Sequence, residues 1–131
     1  MIKYTYTILY VADVAKTISF YESAFGFVKK FCTPENDYGE LLTGETTISF
    51  ASHELADSNL QAGFKKSTLR DKPFGIELGF VTENVEESLK MALSAGAILI
   101  EDIKIKPWGQ KVAYVTDING FLIELCSPMQ G

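Results

Sequence analysis

The sequence has 131 residues, 47% hydrophobic and 22% charged, which is enough for one compact domain with a substantial core and unlike a disordered chain. The formal charge of −5, with no basic cluster larger than a pair such as Lys65-Lys66, excludes a nucleic-acid groove, which needs clustered Lys and Arg. The N-terminus lacks a basic segment followed by an apolar stretch and cleavage site, and no apolar run approaches the roughly 20 residues that span a bilayer, so no membrane is expected and a cytoplasmic protein is.

Tyr4 to Val11 reads as a strand with Tyr6, Ile8 and Tyr10 on one face and Thr7, Leu9 and Val11 on the other. Asp13 is placed to cap a helix running to about Phe25, because Val14, Ile18, Tyr21 and Phe25 recur at helical spacing and Gly26 supplies a stop. Three short strands are expected next, at about Phe27 to Cys32, Tyr38 to Thr43 and Thr46 to Ser52, punctuated by Pro34, Asn36, Gly39 and Gly44. Residues 53–73 show no sustained alternation and read as a linker with one helical turn; a connection this long is either disordered or a functional cover.

The pattern then restarts. Phe74 to Thr82 is a predicted strand, Asn84 caps a helix with Glu87 completing a capping box, and Val85, Leu89 and Ala92 form its buried stripe up to Gly96. Ala97 to Lys106 follows as a strand. A final hairpin joins Gln110–Asp117 to Phe121–Cys126 through Ile118-Asn-Gly120, whose Asn-Gly pair tolerates the positive φ of tight turns. In its last strand Phe121, Ile123 and Leu125 share one face, so Glu124 stands between Leu122 and Cys126 on the other.

The element order is βαβββ twice, an internal repeat. The helix caps Asp13 and Asn84 set an offset of 71 residues, which carries Tyr6 onto Glu77; the endings of the two hairpins set an offset of 75, which carries Ser49 onto Glu124. Half-buried sheets with one helix behind each are best buried together, so the fold expected is α+β: two βαβββ modules forming a cupped mixed sheet with helices outside. A single domain of residues 1–131 follows, with module 1 at about 1–52, a linker at 53–73 and module 2 at about 74–131. Glu77, Gly79, Leu122 and Glu124 are expected on the concave face, together with Tyr6, Ile8, Tyr10 and Ser49, and Gly79 leaves room beside Glu77.

Several chemistries lack their residues. There is no Walker-type loop, GxGxxG, HExxH or GxSxG, and Cys32 and Cys126 have no metal or redox spacing and read as small buried hydrophobes. The single histidine, His53, has no neighbours of ligand type and reads as a surface residue. Glu77 and Glu124 on one face can bind a cation or share a proton; the plainer reading is that each is satisfied by a nearby Tyr, Lys or Arg, or by water. Trp108, just before the final hairpin, offers a face for a planar or cationic ligand, or else packs in a core or subunit contact. Tyr38, Phe50, Phe64 and Tyr114 lie at strand spacing and read first as core, and only those on the cup side could touch a ligand.

Tyr6-Thr-Ile-Leu-Tyr-Val-Ala-Asp-Val14 with Phe20-Tyr21 and Phe25-Gly26, and Thr116-Asp-Ile-Asn-Gly-Phe-Leu-Ile-Glu-Leu125, resemble the opening and closing signatures of the vicinal-oxygen-chelate fold. That superfamily holds glyoxalase I, extradiol dioxygenases, fosfomycin-resistance enzymes and bleomycin-resistance proteins, and one fold hosts many functions. The resemblance covers nearly the whole chain. It implies that metal-dependent members carry His, Gln or Glu ligands at the four equivalent strand positions, here Tyr6, Ser49, Glu77 and Glu124. Tyr and Ser break that set, so a transition-metal site is not expected and no cofactor is assigned; the alternative is a hard divalent ion held by Glu77 and Glu124 with water.

The leading expectation is a glyoxalase/bleomycin-resistance-like protein that sequesters a cationic or aromatic small molecule in a cup lined by Tyr6, Tyr10, Ser49, Glu77, Trp108 and Glu124. The rival is a metal-dependent lyase, isomerase or dioxygenase with Glu77 and Glu124 as ligands, and a third reading is a stress or regulatory protein that has lost its ligand. Whether a reaction is catalysed stays open at this level. A homodimer is expected from the resemblance, and two-fold dimers are the commonest oligomers.

Overall fold

A computed structural model describes residues 1–129, so the last two positions of the expected module 2 lie outside the described residues. The order is β1 (Thr7–Val11), α1 (Val14–Phe25), β2 (Val28–Cys32), β3 (Tyr38–Leu42), β4 (Thr47–Ser52), α2 (His53–Asn59), β5 (Glu77–Val81), α3 (Val85–Ala95), β6 (Ile98–Ile105), β7 (Lys111–Thr116) and β8 (Leu122–Cys126). The strands form two four-stranded mixed sheets, ordered β1-β4-β3-β2 and β5-β8-β7-β6, each with one parallel pair and two antiparallel pairs. The fold is α+β and consists of two βαβββ modules. Residues 1–22 and 26–66 form one compact unit; residues 23–25 and those from Ser67 onward form the other.

In the first unit, α1 covers the face that carries Leu9, Gly39, Leu41, Ile48 and Phe50. Val14, Ile18 and Tyr21 are fully buried, and Tyr21 meets Phe50 with ring centroids 5.1 Å apart. Gly39 leaves room for this packing: a Cβ there would lie 2.5 Å from Ile18 Cδ1, which would have to move, and 3.1 Å from the Phe31 carbonyl. The helix begins as its sequence indicates, with the Asp13 carboxylate accepting from Lys16 N at 3.0 Å, and ends in a left-handed Gly26.

The second unit repeats the plan. Ala113, Val115, Ile123 and Leu125 are buried on one face, as is the α3 stripe of Val85, Leu89 and Ala92, and Asn84 Oδ1 accepts from Glu87 N at 3.0 Å. Phe25 meets Phe80 edge-on at 5.0 Å. At the β7–β8 turn only Gly120 has positive φ, +92°; Asn119 does not need it, because Asp117 Oδ1 accepts from both Asn119 N and Phe121 N and holds the turn in a three-residue form.

Three expectations change. β1 starts at Thr7 rather than Tyr4, where its ladder with β4 begins, so Tyr6 lies just outside the strand. β5 starts at Glu77 rather than Phe74, since Ile76 N is turned to the Phe74 carbonyl at 2.7 Å and cannot join a ladder. The start of the linker is a seven-residue helix rather than one turn, because Ser52 Oγ caps Leu55 N at 3.1 Å and Ala56 is buried.

Candidate functional site

The strand registers reproduce the repeat. Thr7 pairs with Ile48 and Leu78 with Ile123, so the offsets of 71 and 75 hold residue by residue. On the face of the second sheet opposite α3, Tyr114 stands directly across from Glu124, Gly79 flanks Glu124 on the other side, and Glu77 lies diagonally adjacent. Gly79 has open space where a side chain would project.

The Tyr114 hydroxyl joins the two carboxylates, 3.0 Å from Glu124 Oε2 and 3.4 Å from Glu77 Oε1. It has one proton to donate, and the shorter contact gives it to Glu124. Glu77 is pushed above the usual carboxylate range, first by desolvation, then by its hydrogen bond to Glu124 and that group's charge, with Tyr114 pulling weakly the other way. Tyr114 is pushed up to about 12, by burial and then by Glu124 and Glu77, so it stays a neutral phenol at ordinary pH. Cys126, buried on the same face, is raised to about 11 by burial and then by Glu124; it is a thiol rather than a nucleophilic thiolate. Among the described residues no lysine or arginine pairs with Glu77 or Glu124.

The first sheet places a related pair at the equivalent register. Glu40 stands across from Ser49, with Ser49 Oγ 3.4 Å and Tyr38 OH 2.7 Å from Glu40 Oε2. Acid and hydroxyl have exchanged strands relative to Tyr114 and Glu124. Here the charge is answered, since Lys30 Nζ lies 3.6 Å from Glu40 Oε1. Burial is the main cause that raises the Tyr38 phenol.

The residues expected to line a site fall into separate groups within the units. Glu77 and Glu124 come together. Ser49 is buried against Glu40, Tyr6 is exposed, and Tyr10 is engaged edge-on by Phe64 with centroids 4.8 Å apart. Trp108 stands apart from them in the second unit, lining a cavity with Glu83, Gln110 and Met129. His53 is half-buried rather than superficial: it opens α2 beside Phe64, and its Nε2 is buried with no partner among the described residues.

Sequence reasoning names Tyr114 only among aromatics that read first as core, and does not name Glu40. Hairpin register is the signal that finds them, because each lies directly across from an expected position. As metal donors the second-unit residues are two carboxylates and a phenol held neutral, and the described residues contain no group of three or more His, Cys, Asp and Glu placed to share an ion. That set does not fit an imidazole-preferring ion; it offers part of a shell for a hard one.

The similarity of the whole chain to known proteins is consistent with this architecture. No curated protein matches it. A glyoxalase-related enzyme from Fulvimarina pelagi superposes with a TM-score of 0.80 at 16% identity, over 98% of this chain and 89% of that one. A glyoxalase/bleomycin resistance protein/dioxygenase family enzyme from Burkholderia phytofirmans PsJN gives 0.80 at 22% identity, over 94% and 96%. TioX from Micromonospora sp. ML1 gives 0.71 at 18% identity, over 95% and 98%. The model of the glyoxalase-like domain matches residues 4–130, and with its paired βαβββ modules the chain belongs to that family, within the vicinal-oxygen-chelate superfamily.

Proposed function

We propose that the protein is a small-molecule binding protein that takes a cationic ligand, an amine or quaternary ammonium with an aromatic or apolar body, at Glu77, Tyr114 and Glu124. The observation that carries this reading is the carboxylate pair itself: two acids share one phenol hydroxyl, have open space beside them at Gly79, and are matched by no basic side chain among the described residues. A bound cation would answer that charge, favour the ionised form of Glu77 and leave Tyr114 donating to Glu124. Affinity should then rise with pH as Glu77 ionises, and calorimetry across that titration tests it; affinity independent of pH would contradict the coupling. Neighbours whose family description includes bleomycin resistance favour a sequestering role. We take the protein to work in the cytoplasm as a homodimer; no helix among the described residues is long and apolar enough to cross a membrane.

A second reading has one observation in its favour: both carboxylates reach a single hydroxyl, so a hard divalent ion held by Glu77 and Glu124 with water is geometrically sensible. Such an ion would polarise a substrate oxygen in a lyase, isomerase or dioxygenase. Elemental analysis of protein purified without chelator or affinity tag separates the two. Stoichiometric Mn, Fe, Ni or Zn that is lost in Glu124→Gln would overturn the metal-free reading.

A further inference from the structure

A cavity lies at the end of β5 and β8 away from Glu77, where Val81 pairs with Cys126 and the chain continues to Glu83 and Ser127. It encloses about 460 Å3, within the range of small-molecule sites, and is lined by Glu83, Trp108, Gln110, Pro128 and Met129 among others. Neither Glu77, Tyr114 nor Glu124 lines it.

The wall is built so that its neutral polar groups satisfy one another. A turn closed by Gly109 N on the Lys106 carbonyl at 2.8 Å presents Trp108 at its corner. The indole Nε1 donates to Gln110 Oε1 at 2.8 Å, Gln110 Nε2 donates to the Ser127 carbonyl at 2.8 Å, and Ser127 Oγ accepts from Lys111 N at 2.9 Å. Lys111 itself turns to Glu86, 2.5 Å away. The relay fixes the indole edge and leaves its face available: Trp108 is 63% exposed and stacks on no ring among the described residues.

What remains to meet a ligand is an indole face, the Pro128 ring, the Met129 thioether and the Glu83 carboxylate, which makes no hydrogen bond or ion pair among the described residues. No basic side chain lines the cavity. An aromatic face beside an unanswered carboxylate, with apolar walls and few free donors, selects a positively charged centre that does not itself need many hydrogen bonds. We propose that this cavity is a second binding site, for a small organic cation of the tertiary or quaternary ammonium class, seated on Trp108 and held by Glu83.

The single tryptophan of the chain makes the test direct, because red-edge excitation reports on this cavity alone. Benzyltrimethylammonium chloride should change Trp108 fluorescence saturably, benzenesulfonate should not, and calorimetry of Glu124→Gln, which removes binding at the carboxylate pair, should show binding that is lost when Trp108→Ala is added. Glu83→Gln should weaken the binding about five- to tenfold with the circular dichroism spectrum unchanged. Glu124→Gln should leave the fluorescence titration as it was, which separates this site from the carboxylate pair. The proposal is overturned by no saturable change up to about 10 mM, where a millimolar Kd would be evident. It is also overturned by equal affinity in Glu83→Gln, by loss on Glu124→Gln alone, or by fluorescence that responds to protein concentration and not to the cation, which would make the cavity a subunit contact.

Discussion

Glu77, Tyr114 and Glu124 act on one another in ways that single substitutions separate. Replacing Glu124 by Gln removes a neighbouring charge, so Glu77 should titrate lower than in the native protein, while desolvation keeps it above the usual carboxylate value. Tyr114→Phe should do the opposite, because the phenol is the one contact that pulls Glu77 down. Carboxyl-detected NMR titration of the two variants checks both signs. Stability follows by linkage: an acid whose native pKa is raised binds more protons folded than unfolded, so its contribution declines as pH rises from about 4.5, its ordinary value, through its higher native value. Denaturant melts should show that decline flattened in Glu77→Gln; an unchanged pH profile would argue that the group is not perturbed.

Two elements carry testable stability. Asp13 caps α1 and is itself tied to Asn36 Nδ2 at 3.2 Å, while Asn36 Oδ1 accepts from Ala15 N at 2.7 Å. Asp13→Ala should cost about 1 kcal/mol in a denaturant melt, and Asp13→Asn much less. The cap hydrogen bonds hold Asp13 below its ordinary 3.8, so its contribution is present above that value and lost as pH falls through the lower native one. Gly120 is more demanding, since its φ is +92° and a Cβ would lie 2.5 Å from the Thr68 carbonyl oxygen. Gly120→Ala should cost about 2 kcal/mol or more and loosen the segment that Ser67 Oγ pins to the Asn119 carbonyl at 2.8 Å.

The same elements show where sequence reasoning ends. Caps, helix stripes and the two repeat offsets were legible because they rest on local spacing, and the pairings Thr7 with Ile48 and Leu78 with Ile123 follow from them. Tyr114 and Glu40 were not, although hairpin register places each across from an expected residue. A tyrosine at strand spacing reads as core until the face opposite α3 is known to carry two acids. The separation of Trp108 from Glu124 was hidden for a different reason: a turn between β6 and β7 decides which end of the sheet the indole serves.

At the scale of the whole molecule, family membership accounts for the paired modules and leaves the chemistry to the residues that occupy them. Of the two equivalent registers, one has its acid matched by Lys30, and the other presents an unmatched pair. Homodimerisation is checked by light scattering at several protein concentrations, where a mass near twice 14.5 kDa is expected. The central claim, that Glu77 and Glu124 bind an organic cation, is tested most directly by thermal shift of Trp108→Ala, which lacks the second proposed site, and of Trp108→Ala/Glu124→Gln across a panel of cationic aromatic compounds. Ligand at 100 times its Kd should stabilise the native fold by about 2.7 kcal/mol. The account predicts that at least one compound raises Tm in Trp108→Ala and that adding Glu124→Gln loses most of the shift; no shift with any compound, or one that survives the added Glu124→Gln in full, would contradict it.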